Sequence, residues 1–170
     1  MIAHNPPASL AVATGQLPPL PTDGSLLEQV CERLVDAGLA GARWVLFPEG
    51  CLPGYPAWIW ALRSGIDPQL DALRAEVLAS AIHIPSDVTD RLCSVAQRAQ
   101  VNVVIGVIER DDTDHALAIY STLLVINLHG QIVGSYRTGL AAEALPGFWT
   151  AASGEPAAYE ASGICGSGGI

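Results

Sequence analysis

An apolar run that ends abruptly at a glutamate constrains the fold of this chain more than any other feature. Val45, Leu46 and Phe47 predict a fully buried strand, and Glu49 stands where that strand ends. The segment 53–56, Pro-Gly-Tyr-Pro, turns the chain immediately beyond it. A carboxylate at that point is either a general base at a sheet edge or a cap that accepts backbone N–H bonds.

Strand and helix patterns alternate along most of the chain. The helical patterns place apolar residues three and four apart, and the strand patterns are short apolar runs bounded by turn residues. The predicted strands cover 9–14, 43–48, 101–108, 119–128 and 131–135, and the predicted helices run from 23–25 to 37, from 67–68 onward and from 86 onward. Such alternation is typical of a layered α/β fold, and no internal repeat interrupts it.

Composition indicates a folded domain and excludes several classes of partner. The 170 residues are 50% hydrophobic and 15% charged, which suffices for one core. No apolar stretch reaches the roughly 18 residues of a membrane span, and the N-terminus lacks the pattern of a secretion signal. We therefore expect a cytoplasmic protein with no membrane partner. The net charge of −9 provides no basic surface for phosphates, so we expect no nucleic-acid partner.

Cysteine and histidine spacing predicts neither a metal centre nor a disulfide framework. The four cysteines and four histidines are scattered, without CxxC or HExxH spacing. Asp111, Asp112 and Asp114 cluster in one loop, where a solvated turn is the ordinary interpretation and a metal site the alternative. No metal is predicted.

The stretch GARWVLFPEGCLPGYP, residues 41–56, resembles the first signature of the nitrilase superfamily, the thiol carbon–nitrogen hydrolases. In that family the glutamate after FP is the general base, so the resemblance implies this role for Glu49. Trp44 departs from the family pattern because it is larger than the residue usual at that strand position. The PGYP ending and the WIW that follows at 58–60 resemble the nitrile-hydrolysing branch rather than the amidase and carbamoylase branches.

The resemblance extends to the segments 26–43, 84–111 and 119–137, which resemble the family's helices, strands and hairpin. It implies an α/β fold that is part of a four-layer α-β-β-α sandwich, and it implies a homo-oligomer. The expected reaction converts a small-molecule nitrile into a carboxylic acid and ammonia without a cofactor.

The implied mechanism assigns roles to residues around the first signature. A cysteine thiolate adds to the nitrile carbon, and Glu49 takes the protons. Burial of Glu49 at the sheet end would suit this role by disfavouring the charged carboxylate. Tyr55 and Trp58 are the candidate substrate-binding residues just beyond the base, although plain packing of aromatic groups is an alternative.

The family mechanism uses a glutamate, a lysine and a cysteine, and only the glutamate is in place here. All eight residues of the Lys+Arg total are arginines. The family lysine follows an arginine after the hairpin, where this chain has Arg137-Thr138, and threonine has no charge to stabilise a tetrahedral intermediate. The family cysteine lies in a CWE-like motif, whereas Cys165 lies in SGICGSGGI with no basic residue nearby. Neither Cys51 nor Cys93 stands at the position of the family cysteine.

After Arg137 the periodicity is lost and Gly, Ala, Ser and Pro dominate. We therefore predict residues 1–137 as the N-terminal part of a carbon–nitrogen hydrolase domain and 138–170 as a divergent tail. Truncation or a changed reading frame, divergence to a non-catalytic protein, and completion by another chain all fit this tail. The function indicated is nitrile hydrolysis; the alternatives are an inactive protein that retains the fold and subunit contacts, and an amidase-type member.

Overall fold

The computed structural model describes residues 11–15, 25–56, 69–112, 117–138 and 147–152. These ranges contain five strands and three helices. In chain order they are β1 (Val12–Thr14), α1 (Ser25–Leu39), β2 (Trp44–Leu52), α2 (Leu70–Ser80), α3 (Asp87–Ala99), β3 (Asn102–Asp111), β4 (Ala118–Ile126) and β5 (Ile132–Thr138). The predicted alternation is confirmed, with element boundaries displaced by a few residues. None of these helices is long and apolar enough to cross a membrane.

The strands form one mixed sheet in the order β1-β2-β3-β4-β5. β1, β2 and β3 are parallel neighbours, whereas β4 is antiparallel to both β3 and β5. Parallel pairs require long crossovers, which contain α1 before β2 and α2 with α3 before β3. The predicted α/β class is therefore confirmed.

One face of the sheet is covered by α1 and α3, and we call it the helix-covered face. Alternate residues of each strand point to this face because side chains alternate along a strand. The core between the two layers contains the buried residues Leu26, Val30, Leu34, Val45, Phe47, Leu92, Val95, Val103, Ile105, Val107, Leu124 and Ile126. This core fixes the register of the central strands, since a shift of one residue would turn every apolar side chain away from it.

The other face, which we call the open face, carries Leu46, Val104, Gly106, Ile108, Ser121, Leu123, Tyr136 and Thr138 by strand pairing. Helix α2 covers one end of it, where Val77 and Leu78 pack against Ile108. Leu46 is 38% exposed and Leu123 is 37% exposed. The prediction that all three residues of the 45–47 run are buried is wrong for Leu46, because it points to the face opposite α1 and α3.

Residues 147–152 pack against the end of the open face that α2 covers. Phe148 and Trp149 are buried, and their rings meet edge to face with centroids 5.3 Å apart. The Thr150 N–H donates to the carbonyl of Ile119 at 2.8 Å, and the Ile119 N–H donates to Oγ1 of Thr150 at 3.0 Å. This part of the compositionally biased tail therefore contributes to the hydrophobic core.

Candidate active site

An irregularity in β2 carries the predicted catalytic glutamate. Phe47 pairs with Ile105, and Leu52 pairs with Val107, so five steps along β2 correspond to two steps along β3. The intervening residues 48–51 therefore form a bulge opposite a single residue of β3. The strand continues beyond this bulge, whereas the sequence predicted that it ends at 48. Bulges redirect side chains, and this one brings the glutamate out from the strand.

Gly106 on β3 makes the bulge possible. A Cβ atom at this position would lie 2.4 Å from Cα of Glu49 and 2.6 Å from the carbonyl oxygen of Pro48. Both are backbone atoms, which cannot rotate away as the end of a side chain can. The close approach therefore requires a glycine, and it places the backbone of Glu49 against β3.

The turn beyond the glutamate brings Tyr55 back over the bulge. Gly50 has a φ of +60°, in the left-handed region that favours glycine. A Cβ atom on Gly50 would lie 2.7 Å from Cδ2 of Tyr55, so the ring rests directly on the glycine. Tyr55 also packs against the cluster that contains Val77 and Leu78. The ring is thus next to Glu49 in space, while Trp58 lies outside the described residues.

The Glu49 carboxylate is held by a hydroxyl group from the neighbouring part of the sheet. Oγ of Ser121 on β4 donates a hydrogen bond of 2.7 Å to Oε1 of Glu49. Ser121 is 3% exposed, whereas Glu49 is exposed to solvent in the described part of the chain. The burial expected of Glu49 is therefore not provided by the described residues. Within those residues the Glu49 carboxylate accepts from a side-chain hydroxyl and not from a backbone N–H.

Thr138 lies directly across the strand pair from Ser121. Residues directly opposite in an antiparallel pair share a face, with Cβ atoms about 4.5–5.5 Å apart. The position at which the resemblance expects a lysine is therefore on the same face of the sheet as Ser121 and Glu49, and it is occupied by threonine. Sequence reasoning missed Ser121 because no local pattern indicates which strand positions face each other.

Arg137 points to the helix-covered face and binds a buried carboxylate there. Its guanidinium donates to both oxygens of Glu109, from Nε at 3.0 Å and from Nη2 at 2.5 Å. Oγ1 of Thr122 donates to Oε2 of Glu109 at 2.6 Å, and Nη2 of Arg137 also reaches Asp111 at 2.7 Å. The guanidinium carbon lies 4.1 Å from the ring centroid of Tyr120.

These contacts keep the charge of Arg137 away from Glu49. The hydrogen bonds that Arg137 donates to Glu109, followed by the one to Asp111, raise the pKa of Arg137 above its ordinary value despite partial burial. Consecutive residues of a strand face opposite sides, so this arginine cannot replace a cation at position 138. Glu109 directly follows the almost wholly apolar run 101–108. A charged residue at that position was the sequence signal that could have revealed Glu109 as a buried ion-pair partner.

The three described cysteines are poor nucleophiles. Burial raises the pKa of the Cys51 thiol to about 12. Burial also raises the pKa of Cys31 and of Cys93. The thiolate is the reactive form, so none of the three is ionised near neutral pH. Cys165 lies outside the described residues.

Two of the three clustered aspartates, at the end of β3 and directly after it, are bound by arginines. Asp111 is bound by Arg137, and Oδ1 of Asp112 accepts from Nε of Arg110 at 2.8 Å. The hydrogen bond from Arg110 lowers the pKa of Asp112. Asp114 lies outside the described residues. Among the residues that the structure describes, no group of three or more His, Cys, Asp or Glu side chains is arranged to hold a metal ion.

Comparison with known proteins gives the family to which this chain belongs. The family model described as Carbon-nitrogen hydrolase matches residues 11–139. That match covers more than half of the chain, so the chain belongs to the carbon-nitrogen hydrolase family. The resemblance to the nitrilase superfamily drawn from residues 41–56 is therefore confirmed.

Two curated relatives are named as nitrilases. Nitrilase 2 from an unknown prokaryotic organism is 38% identical over 102 residues, which are 60% of this chain and 31% of that protein. Nitrilase 1 from Arabidopsis thaliana is 36% identical over 107 residues, which are 61% of this chain and 30% of that protein. The chain thus spans about a third of the length of these relatives.

A solved structure shares the fold. It is a variant of the amidase from Nesterenkonia sp. AN1 in which acrylamide has added to the active-site cysteine. The TM-score is 0.58 at 21% sequence identity, and the match covers 88% of this chain and 52% of that chain. At that identity the likeness shows the fold alone.

Proposed function

We propose that the protein carrying this domain hydrolyses a nitrile to a carboxylic acid and ammonia, with Glu49 as the general base. Membership of the carbon-nitrogen hydrolase family supports the reaction class. Similarity to two proteins named nitrilases supports a nitrile as the substrate. The Pro-Gly-Tyr-Pro ending of the 41–56 signature supports the same branch.

The placement of the Glu49 carboxylate is the observation that carries this proposal. Oε1 is oriented by the hydroxyl of Ser121 at 2.7 Å, and no described residue donates to Oε2. The side chain is exposed at the edge of the bulge, so a substrate can approach it. A general base needs a fixed carboxylate with one oxygen able to take a proton, and the contacts among the described residues support both requirements.

The proposed reaction passes through a covalent intermediate. A cysteine thiol gives its proton to Glu49 while its sulfur adds to the nitrile carbon, and the proton is passed to nitrogen to form a thioimidate. Water adds to the thioimidate carbon and ammonia leaves, which produces a thioester. A second water releases the carboxylic acid and restores the thiol. Cys31, Cys51 and Cys93 do not fit the role of this nucleophile because burial keeps their thiols protonated.

Tyr55 and Trp58 are proposed to line the substrate pocket. The Tyr55 ring lies on Gly50, the residue directly after the base, with its edge within van der Waals reach of the bulge. An aromatic wall beside a fixed carboxylate would hold an apolar nitrile against the proton acceptor.

A non-catalytic role is the second candidate, and the residue at position 138 favours it. Thr138 lies opposite Ser121 on the open face, and the sequence contains no lysine. Loss of one donor that stabilises a tetrahedral intermediate costs roughly 2.7–4 kcal/mol of transition-state stabilisation, a factor of 10² to 10³ in rate. If the protein is non-catalytic, the chain keeps the fold, and the bulge that carries Glu49 has a structural role only.

Ammonia release separates these candidates. Aliphatic and aromatic nitriles, together with the matching amides, are given to the purified chain, to Glu49→Gln and to Glu76→Gln. Glutamine still accepts the Ser121 hydrogen bond but cannot take a proton, so we expect at least a hundredfold loss in Glu49→Gln. Glu76 is exposed on α2, and its variant is the matched control. Circular dichroism verifies that each variant is folded.

Each outcome selects one candidate. Release from nitriles that is lost only in Glu49→Gln supports the proposal, whereas faster release from amides assigns the chain to the amidase type. Equal release by both variants rejects Glu49 as the base. If the folded chain releases no ammonia and Thr138→Lys does not change this, the non-catalytic candidate is supported.

A further inference from the structure

One apolar cluster joins four separate parts of the chain beside the candidate active site. It lies between helix α2 and the end of the open face, and Tyr55 packs against it. We call it the α2 cluster, and its buried members are Val77, Leu78, Ile108, Ile119, Phe148 and Trp149. The ring that rests on Gly50 beside Glu49 is therefore supported by side chains that are distant from it in the sequence.

Helix α2 has little buried apolar surface with which to hold its own place on the sheet. Val77 and Leu78 are the buried residues among its eleven. Burial of apolar surface is non-directional, so two buried side chains favour contact with the sheet without fixing the exact position of a short helix. Directional contacts are needed to fix that position.

Arg74 on α2 supplies such contacts. Its guanidinium donates from Nε to the Phe148 carbonyl oxygen at 3.1 Å and from Nη2 to the Leu117 carbonyl oxygen at 2.7 Å. Leu117 directly precedes β4, and Phe148 belongs to the α2 cluster. Hydrogen bonds from a charged donor are shorter and stronger than those between neutral groups. One side chain therefore ties α2 both to the sheet and to the segment 147–152.

The Glu49 carboxylate is held by a different set of contacts. Ser121, which donates to it at 2.7 Å, lies in the ladder between β3 and β4, directly opposite Ile108. That ladder is continuous from the pair of Val103 with Ile126 to the pair of Asp111 with Ala118. A displacement of α2 is therefore expected to reach the Tyr55 ring while the carboxylate stays in place.

We propose that Arg74 is a positioning residue for the candidate active site. By fixing α2 on the sheet, it keeps the α2 cluster packed behind the Tyr55 ring and keeps that ring on Gly50, next to Glu49. This placement sets the width of the space between the aromatic wall and the carboxylate, which receives the organic group of the nitrile. Arg74 itself does not touch the substrate. The consequence for the substrate rests on the proposed function, whereas the placement of the ring does not.

The ring contact tests the proposal without a substrate. Nuclear Overhauser effects between the Tyr55 ring protons and the Gly50 Hα protons are measured in the full chain, in Arg74→Met, in Arg74→Lys and in Arg33→Met. We expect the effect to fall by roughly half in Arg74→Met, and by less in Arg74→Lys because an ammonium can still donate to one of the two carbonyls. Arg33 is exposed on α1, and its variant is the matched control.

The same measurement can overturn the proposal. An unchanged effect in a folded Arg74→Met, or an equal loss in Arg33→Met, shows that Arg74 does not position the ring. Circular dichroism verifies that each variant is folded. If Arg74→Met does not fold, Arg74→Lys decides, and an effect equal to that of the parent chain overturns the proposal.

Kinetics tests the consequence for the reaction. With the nitrile that the parent chain hydrolyses fastest, Arg74→Met should raise KM roughly fivefold and change kcat by less than about twofold, since the substrate is held less well while the base stays in place. Arg74→Met added to Tyr55→Leu should raise KM no further, because Arg74 acts through that ring. A fall in kcat at constant KM, or additive effects on KM, overturns the proposal. A parent chain that releases no ammonia contradicts the proposed function alone, and the ring contact then decides the role of Arg74.

Discussion

The ion pair between Arg137 and Glu109 allows the sharpest test of how this sheet is held together. Glu109 has a side chain that is 5% exposed, and the Arg137 side chain is 35% exposed. Arg137→Met leaves the buried carboxylate with the hydroxyl of Thr122 as its remaining described donor. Removing one partner of a buried pair costs about 3–5 kcal/mol.

Because Arg137 is partly exposed, we expect the loss of stability in Arg137→Met to lie at the lower end of that range. Water can reach the outer part of the guanidinium site and replace some of the lost hydrogen bonding. We therefore expect Arg137→Met to lower the free energy of unfolding by about 3 kcal/mol, which corresponds to a melting temperature roughly 6–12 °C lower for a chain of this size. Urea unfolding at pH 7 measures the loss directly.

A double-mutant cycle and a surface pair complete this test. Glu109→Gln combined with Arg137→Met should cost less than the sum of the single changes by more than about 1 kcal/mol, because the two side chains contact each other. The control is Arg33→Met, since Arg33 and Asp36 form a 3.9 Å pair with side chains 60% and 68% exposed. That change should cost less than about 0.5 kcal/mol. A loss in Arg137→Met no larger than the control, or additive changes in the cycle, would refute the reasoning.

Three further predictions concern the bulge, the thiols and the packed tail. Gly106→Ala should lower the free energy of unfolding by about 1–3 kcal/mol, because its Cβ would meet backbone atoms at 2.4 Å; unchanged urea unfolding would show that the bulge tolerates a side chain. The pKa of Cys51 is raised from 9.0 to about 12 in the folded chain, so the unfolded chain ionises first and stability should fall by roughly 1 kcal/mol per pH unit between pH 9 and 12. Cys51→Ala should flatten this decline in urea unfolding measured across that range, and an identical slope would contradict the assignment. Trp149→Ala should cost about 3–5 kcal/mol if residues 147–152 belong to the core, and a loss below about 1 kcal/mol would show that they do not.

Much of the architecture follows from local patterns in the sequence. Apolar periodicity and turn residues predict a helix that ends at 37 and a strand over 101–108, and the structure has them as Ser25–Leu39 and Asn102–Asp111. The prediction of burial and of strand ends was wrong at positions whose structure depends on non-local contacts. Leu46 is exposed because α1 and α3 cover only one face, and β2 continues past Pro48 because Gly106 admits a bulge.

The same distinction between local sequence and non-local contacts applies to the candidate site. Local sequence places Glu49 directly after an apolar run and indicates the family, since a motif of adjacent residues contains that information by itself. Tertiary structure alone reveals that Ser121, 72 positions away, holds the Glu49 carboxylate, that Thr138 lies opposite Ser121, and that Arg137 is held on the other face by Glu109. The physical reason is register: which residues oppose one another across three strands depends on how the whole sheet packs against its helices.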